Sequence, residues 1–511
     1  MARDVKYNFA NGMYRLIEPN SPEYPNGAAW TLYNMVYERD STEPEKMKGS
    51  TRIGGTTNFG GRVTGLFDYK EGTRLIACDA AGKINQRTAG DFAQATNGTG
   101  FNTGADTRWS GGMFHGITTN ESLLLISNGI DAPQKYTSSA GVSALGGSPP
   151  ATGKYGTPYV GRWWLASGST LYYSAADNAE DWTQAGGTIQ VDRGSGDITG
   201  LTVFMNHLIV FKRDKIFHIA PTSTLESASV WQASGSIGCS SHHTIKESAG
   251  RTEGSLFFLS DNGVQGLIST NRTGDFSPAN ISEFIKPVVD RRSKSNQDTA
   301  WADFNEDRGE YWLQYGTSTS TPSEGVIANV VRGQGKVRWS QHNYAELTAG
   351  TAYSSSDEII QIVGNVDGQV LQLHTGHDRD GASYVGRFQS PSYSQGAPGD
   401  MKQYRRVFCD VKTNGNYAVG VNLTLGRKGW SEPGATQESI ENMGVSDGWG
   451  VGTWGSAQWG GGGVAGKYVR LSRVRRGHYL RTQIDTTGID QPFKVNGLII
   501  EYESGSKQVT A

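Results

Sequence analysis

The chain reads as an all-β protein: a β-propeller of about six blades joined to a β-sandwich-like platform, with few short helices. Three observations predict this. Between Thr170 and Leu267 short apolar runs follow one another as hairpins with almost no helical spacing. Similar units recur every 40 to 50 residues or roughly so, the spacing of propeller blades. Finally, 69 glycines in 511 residues point to a turn-rich chain,. Ordinary antiparallel sheets in a sandwich are the competing reading, because hairpins alone do not enforce closure.

Residues 1 to about 60 read as an extended arm, with Pro19, Pro22 and Pro25 in quick succession and the charged run Glu43–Lys48,. Only Ala28–Tyr37 offers a short helix. Such a start either ties into a neighbouring element or subunit or is an irregular leader. The propeller is expected over 61–376. Its clearest hairpins are Arg162–Ser174, turning at Ser167-Gly168-Ser169; Leu201–Ile219, reversing at Lys212 to Lys215; and Ser255–Ile268, turning at Asp261-Asn262-Gly263, where Asn and Gly tolerate the positive φ of a tight turn,. Leu75–Gln86, Leu123–Tyr136, Tyr311–Tyr315 with Val326–Val331, and Ile359–Leu373 extend the series. One helix is predicted from about Glu283 to Ser295, capped by Ser282, its regularity limited by Pro287.

Around Thr375–Gly399 the composition shifts to Gly, Ser, Pro and Asp, marking the main boundary,. Residues 377–511 hold five strand-like runs, Arg405–Lys412, Ala418–Leu425, Lys467–Arg473, Tyr479–Thr486 and Phe493–Tyr502, which suit a small sandwich. The Gly/Trp-rich loop 447–463 cannot build a core of its own. Its Trp449, Trp454 and Trp459 either cap the sandwich or anchor a partner chain.

A formal charge of −2 gives no global attraction to nucleic acid or anionic membrane,. Cys78, Cys239 and Cys409 are too scattered for a disulfide framework or a metal knuckle, and read as buried small hydrophobes of a reducing compartment. The first residues lack the apolar core of a secretion signal, and no 18-residue apolar run occurs,. A cytoplasmic origin without membrane insertion is expected.

Candidate chemistry is sparse. Ser174 to Trp182 has the residue order of a sialidase-type Asp-box but not its spacing or glycine, so Asp177 and Trp182 are expected in a structured turn. Asp303, Glu306, Asp307 and Glu310 crowd one segment, as glycoside hydrolysis requires of its carboxylates, yet they read as solvated charges of a hairpin tip. His242 and His243, adjacent on a strand, would face opposite ways and lack a third ligand. No catalytic, cofactor or metal residue is therefore assigned. The strongest charge signal is the basic run Lys467–Arg481, whose Arg470, Arg473, Arg475 and Arg476 are candidates, with the three tryptophans, for a subunit interface or channel.

Several of these runs carry a resemblance. Leu171–Ser174 to Asp181-Trp182, Gly196–Leu201 leading into Asn206–Lys212 and Lys215–Ile219, Gly238-Cys239 with Thr244-Ile245, and Leu256–Val264 are together similar to the tail nozzle, tail hub or packaged-DNA stabilisation proteins of short-tailed bacteriophages. Residues 155 to 300 resemble that family most, the final stretch around Arg470–Arg476 less. The resemblance implies a virion tail protein, assembled in the host bacterial cytoplasm as a homohexameric ring below portal and adaptor proteins, with tail fibre or needle proteins as further partners. Genomic double-stranded DNA would pass through its lumen without sequence specificity, retained until ejection. It implies no enzyme and no cofactor. A receptor- or glycan-binding tail protein, or a propeller glycosidase, is the alternative.

Overall fold

A computed structural model describes residues 2–504 except 39–40, 56–57, 71, 105–106, 117–121, 184–186, 221–228, 249–254, 270–275, 317–323, 332–335, 345, 356–357, 414–416, 427–435 and 441–464. About half of the residues are strand (52%) and only 3% are helical. Seven four-stranded antiparallel arrangements follow in chain order: residues 63–94, 110–144, 155–190, 200–234, 246–280, 301–342, and 347–373, the last completed by Ser50–Arg52 from the arm.

The middle strands of the units are apolar on both faces, and the packing explains why. Each sheet shares one apolar cluster with the sheet before it and another with the sheet after it. In the fourth unit, Leu208 and Val210 pack with Trp164 and Leu171 of the third, while Ile209 and Phe211 pack with Leu256 and Phe258 of the fifth. Strands buried on both sides become near-continuous apolar runs rather than alternating ones. The series returns to its start: Ala349, Ile362 and Val370 of the seventh unit pack with Val63, Leu66 and Leu75 of the first. Ladder hydrogen bonds stay within each unit, apart from the sixth.

The sixth unit belongs to a nine-stranded sheet. Its strand Lys336–His342 lies beside Thr31–Tyr33 of the arm, which pairs on its other side with Gly386–Gln389; Gly386–Gln389 pairs with Tyr479–Thr486, and Tyr479–Thr486 with Val419–Gly426. A six-stranded sheet faces it, built on Lys402–Thr413 and Phe493–Ser504 and joined by the arm strands Ala2–Tyr7, Met35–Tyr37 and Pro44–Lys46. The largest core cluster lies between these sheets and reaches the fifth and sixth units, taking in Phe9, Met13, Leu32 and Met35 from the arm. The sheet therefore runs without interruption past the boundary expected near residue 377.

Three expectations are corrected here. Ala28–Tyr37 is not helical: Thr31–Tyr33 and Met35–Tyr37 are strands, separated by Asn34 at φ 53°. Aromatic and branched side chains with paired neighbours favour extension there. The helix expected over Glu283–Ser295 shrinks to a 3₁₀ turn, Glu283–Ile285, and one α-helical turn, Lys286–Val289; Ser282 makes no side-chain cap. Its hydroxyl instead accepts from the N–H of Val264 at 3.0 Å. In the Asp261-Asn262-Gly263 turn only Gly263 has positive φ, 108°, so the glycine follows an ordinary two-residue turn. A further hairpin hides inside Leu201–Ile219, where Met205 and Asn206 both take positive φ, 46° and 61°, between Gly200–Phe204 and His207–Phe211.

Candidate functional site

The first strands of the units, Val63–Tyr69, Ser110–Phe114, Tyr155–Tyr159, Gly200–Phe204, Trp301–Asn305 and Leu347–Ser355, together with the fifth unit's His242–Thr244 turn, surround a common cavity of about 420 Å³. Thr64, Ser110, Thr157, Thr202, His242, His243, Lys246 and Asp303 give its wall a polar character, with Trp109 and Trp301 as apolar panels. The first strands bring groups from separate units to one wall, which is how a sequence with no local site motif gathers them.

The charges are organised as a chain. Lys246 Nζ lies 3.1 Å from Asp303 Oδ1, and Gln361 Nε2 donates to Asp303 Oδ2 at 2.9 Å. Gln361 Oε1 accepts from His374 Nε2 at 3.0 Å. His374 in turn stands 3.9 Å from Glu310, whose carboxylate accepts from Trp312 Nε1 and Arg308 Nε at 2.9 and 3.1 Å. Burial raises the Glu310 carboxyl, but Arg308, His374 and the two donors outweigh it and hold it below its ordinary value,.

His242 stacks on Tyr155 with centroids 4.5 Å apart, and its Nδ1 accepts from the N–H of Leu201 at 3.3 Å. His243 packs edge-on against it at 5.4 Å. Burial, followed by Lys246, Arg108 and Lys154, pushes His242 down to about 3. Burial also drives His243 well down, with Arg108 the leading charge. Both imidazoles are neutral at pH 7 and can donate or accept. Arg108, buried behind the wall, donates to the carbonyls of Asp298, Ala300 and Thr348 at 2.9 to 3.0 Å. Among the described residues it forms no ion pair with a carboxylate.

The two histidines are not on a strand, as the sequence suggested. They occupy a single 3₁₀ turn, which turns both rings toward one cavity. The acidic segment is likewise no solvated tip throughout. Asp303 and Glu310 are buried; of the four only Glu306 is exposed, and Asp307 accepts from the Ile359 N–H at 2.7 Å. Asp177 and Trp182 lie in a turn where the Ala175 and Asp177 N–H groups bond to Asp181 and Gly161 carbonyls and Trp182 Nε1 donates to Ala179 O.

Arg470, Arg473, Arg475 and Arg476 lie on Ala465–Gly477, at the edge of the six-stranded sheet. Arg476 opposes Gln403, Arg475 opposes Tyr404 and Arg470 opposes Arg406, with a register shift between the last two pairs. Arg476 is exposed. The candidates Trp449, Trp454 and Trp459 lie outside the described residues. Sequence reasoning passed over Thr64, Arg108 and Lys246, and nothing local could have found them, since they come from three different units. All three cysteines are buried and free. Among the described residues no group of three or more His, Cys, Asp or Glu is placed to hold a metal ion, and no helix is long and apolar enough to cross a membrane, which says nothing of strands. A scan against protein-family models finds no match, and a search of curated proteins finds no significant relative.

Proposed function

We propose that the chain is a structural subunit of a short-tailed bacteriophage tail, a nozzle or hub protein in which the seven units are the blades of a β-propeller and the paired sheets are its platform. In this reading six copies form a ring beneath portal and adaptor proteins, the ring retains packaged DNA, and it opens for ejection. The observation that carries the reading is the placement of the runs that resemble that family. Leu171–Ser174 falls on the third strand of its unit, Asn206–Lys212 on the second strand of the next, and Leu256–Val264 on the second strand and following turn of the one after, so the similarity keeps to the middle strands of three consecutive units.

One further feature constrains the reading and another supports it. The cavity at the centre of one chain is about 420 Å³, far too small for a duplex, so a DNA lumen would have to lie between copies. Among the described residues the cationic strand Ala465–Gly477 is an edge strand of its sheet, and unpaired edges are commonly buried between neighbours in closed assemblies. Native mass spectrometry with negative-stain class averages tests the proposal. Six-fold rings with an open centre are expected; a stable monomer or trimer across working concentrations would overturn it.

A further inference from the structure

We propose that the cavity enclosed by the first strands is a binding site for a small anion, one presenting a phosphate or carboxylate group. The inference is independent of the tail assignment, because it concerns one chain's own interior.

The wall is built for such a ligand. Thr64 is 1% exposed, lines the cavity, and its Oγ1 has no hydrogen-bond partner within the structure. A buried hydroxyl left unmatched is costly, and a ligand oxygen would satisfy it. His243 and His242 lie on the same wall as neutral rings that can each donate an N–H,. Lys246 reaches the cavity with part of its side chain exposed. The carboxylate of the wall, Asp303, is already engaged by Lys246 and Gln361. Behind the wall, Arg108 spends its donors on carbonyls and makes no salt bridge with a described carboxylate, although Asp298 attracts it at longer range. Lys154 adds another cation nearby, over the Tyr155 ring. Lys246, Arg108 and Lys154 therefore outnumber the carboxylates Asp303 and Asp298 around a cavity where Coulombic attraction exceeds that in bulk water,.

A cation or a neutral polyol fits this arrangement less well, and the charge variants separate the cases by sign. Isothermal titration of the full-length protein with sodium phosphate, and separately with citrate, should give saturable binding that weakens as sodium chloride is raised. Lys246→Met should weaken binding about tenfold or more, the equivalent of about 1.4 kcal/mol. Thr64→Val, which keeps the side-chain shape and so the fold, should weaken it several-fold. Asp303→Asn should tighten it, because it removes the one negative charge of the wall and frees Lys246. Circular dichroism and thermal melting of each variant establish that it is folded. Absence of heat with both anions, binding indifferent to Lys246→Met and Thr64→Val in folded protein, or weaker binding in folded Asp303→Asn would each overturn the proposal. A neutral saccharide that binds where neither anion does would also overturn it.

Discussion

Glu310 shows how far a residue's surroundings can depart from its sequence context. It follows Glu306, Asp307 and Arg308 in what reads as a charged tip, yet it is fully buried between Arg308, Trp312 and His374. A buried carboxylate is tolerated only when its acceptors are filled, and here a guanidinium and an indole fill them. Replacing it by Gln should cost about 2 kcal/mol at pH 7, since both donors lose a charged acceptor. The sign of the pH effect follows from its depressed titration. The folded protein binds this proton less readily than the unfolded chain, so the contribution is complete above about pH 4.3 and disappears as pH falls through the folded value,. His374 runs in the same direction over a higher window: burial first, against the pull of Glu310, lowers it to about 4, so stability declines as pH drops from about 6.5 toward that value,. Urea midpoints of wild type and Glu310→Gln between pH 7 and pH 3.5 should converge at the acid end; a constant gap would show that the charge is not what matters.

At the scale of elements, the series of units depends on two contacts made by distant parts of the chain. Ser50–Arg52 supplies the outer strand of the seventh unit, pairing with Val370–Leu373, and the Ile53 N–H bonds to Val370 O at 3.0 Å. The seventh unit then meets the first so closely that a Cβ on Gly364 would stand 2.5 Å from Val63 Cβ. Gly364→Ala should therefore destabilise by about 1 to 3 kcal/mol through overpacking, and Gly364→Ala combined with Val63→Gly, which removes the clashing Cβ, should cost less than the two single changes together. Thermal melts of the two variants and the Val63→Gly control measure this, and an unaffected Gly364→Ala variant would mean that the junction is loose. The hairpins themselves were legible in sequence because each carries its own turn chemistry. Met205-Asn206 was not, since methionine is an uncommon residue at positive φ and only the flanking ladder holds it there,. The helix after Ser282 was overread because its apolar stripe is real, with Ile285, Val288 and Val289 buried, but the main core, not a helical ladder, organises those side chains.

At the scale of the molecule, the arm joins the two parts. Thr31–Tyr33 is the strand that connects the sixth unit to the platform sheet, and Ala2–Tyr7 and Met35–Tyr37 enlarge the facing sheet. Calorimetry of the intact chain should give one dominant transition. Deleting residues 1–37 should lower its midpoint and split it, because the platform then loses strands from both sheets and its connection to the sixth unit. An unchanged single transition would show that the arm is dispensable. The all-β character, the hairpin series and the five carboxyl-terminal strands were readable in the sequence, because turn residues and apolar runs are local signals that survive without knowledge of partners. Tertiary structure alone decided that Phe9 and Met13 of a proline-rich arm are core residues, that Asp303 is buried beside Lys246, and that Thr64, Arg108 and His243 share one wall. Those outcomes depend on which sheets pack together, and packing brings residues from separate units within reach that no spacing along the chain relates.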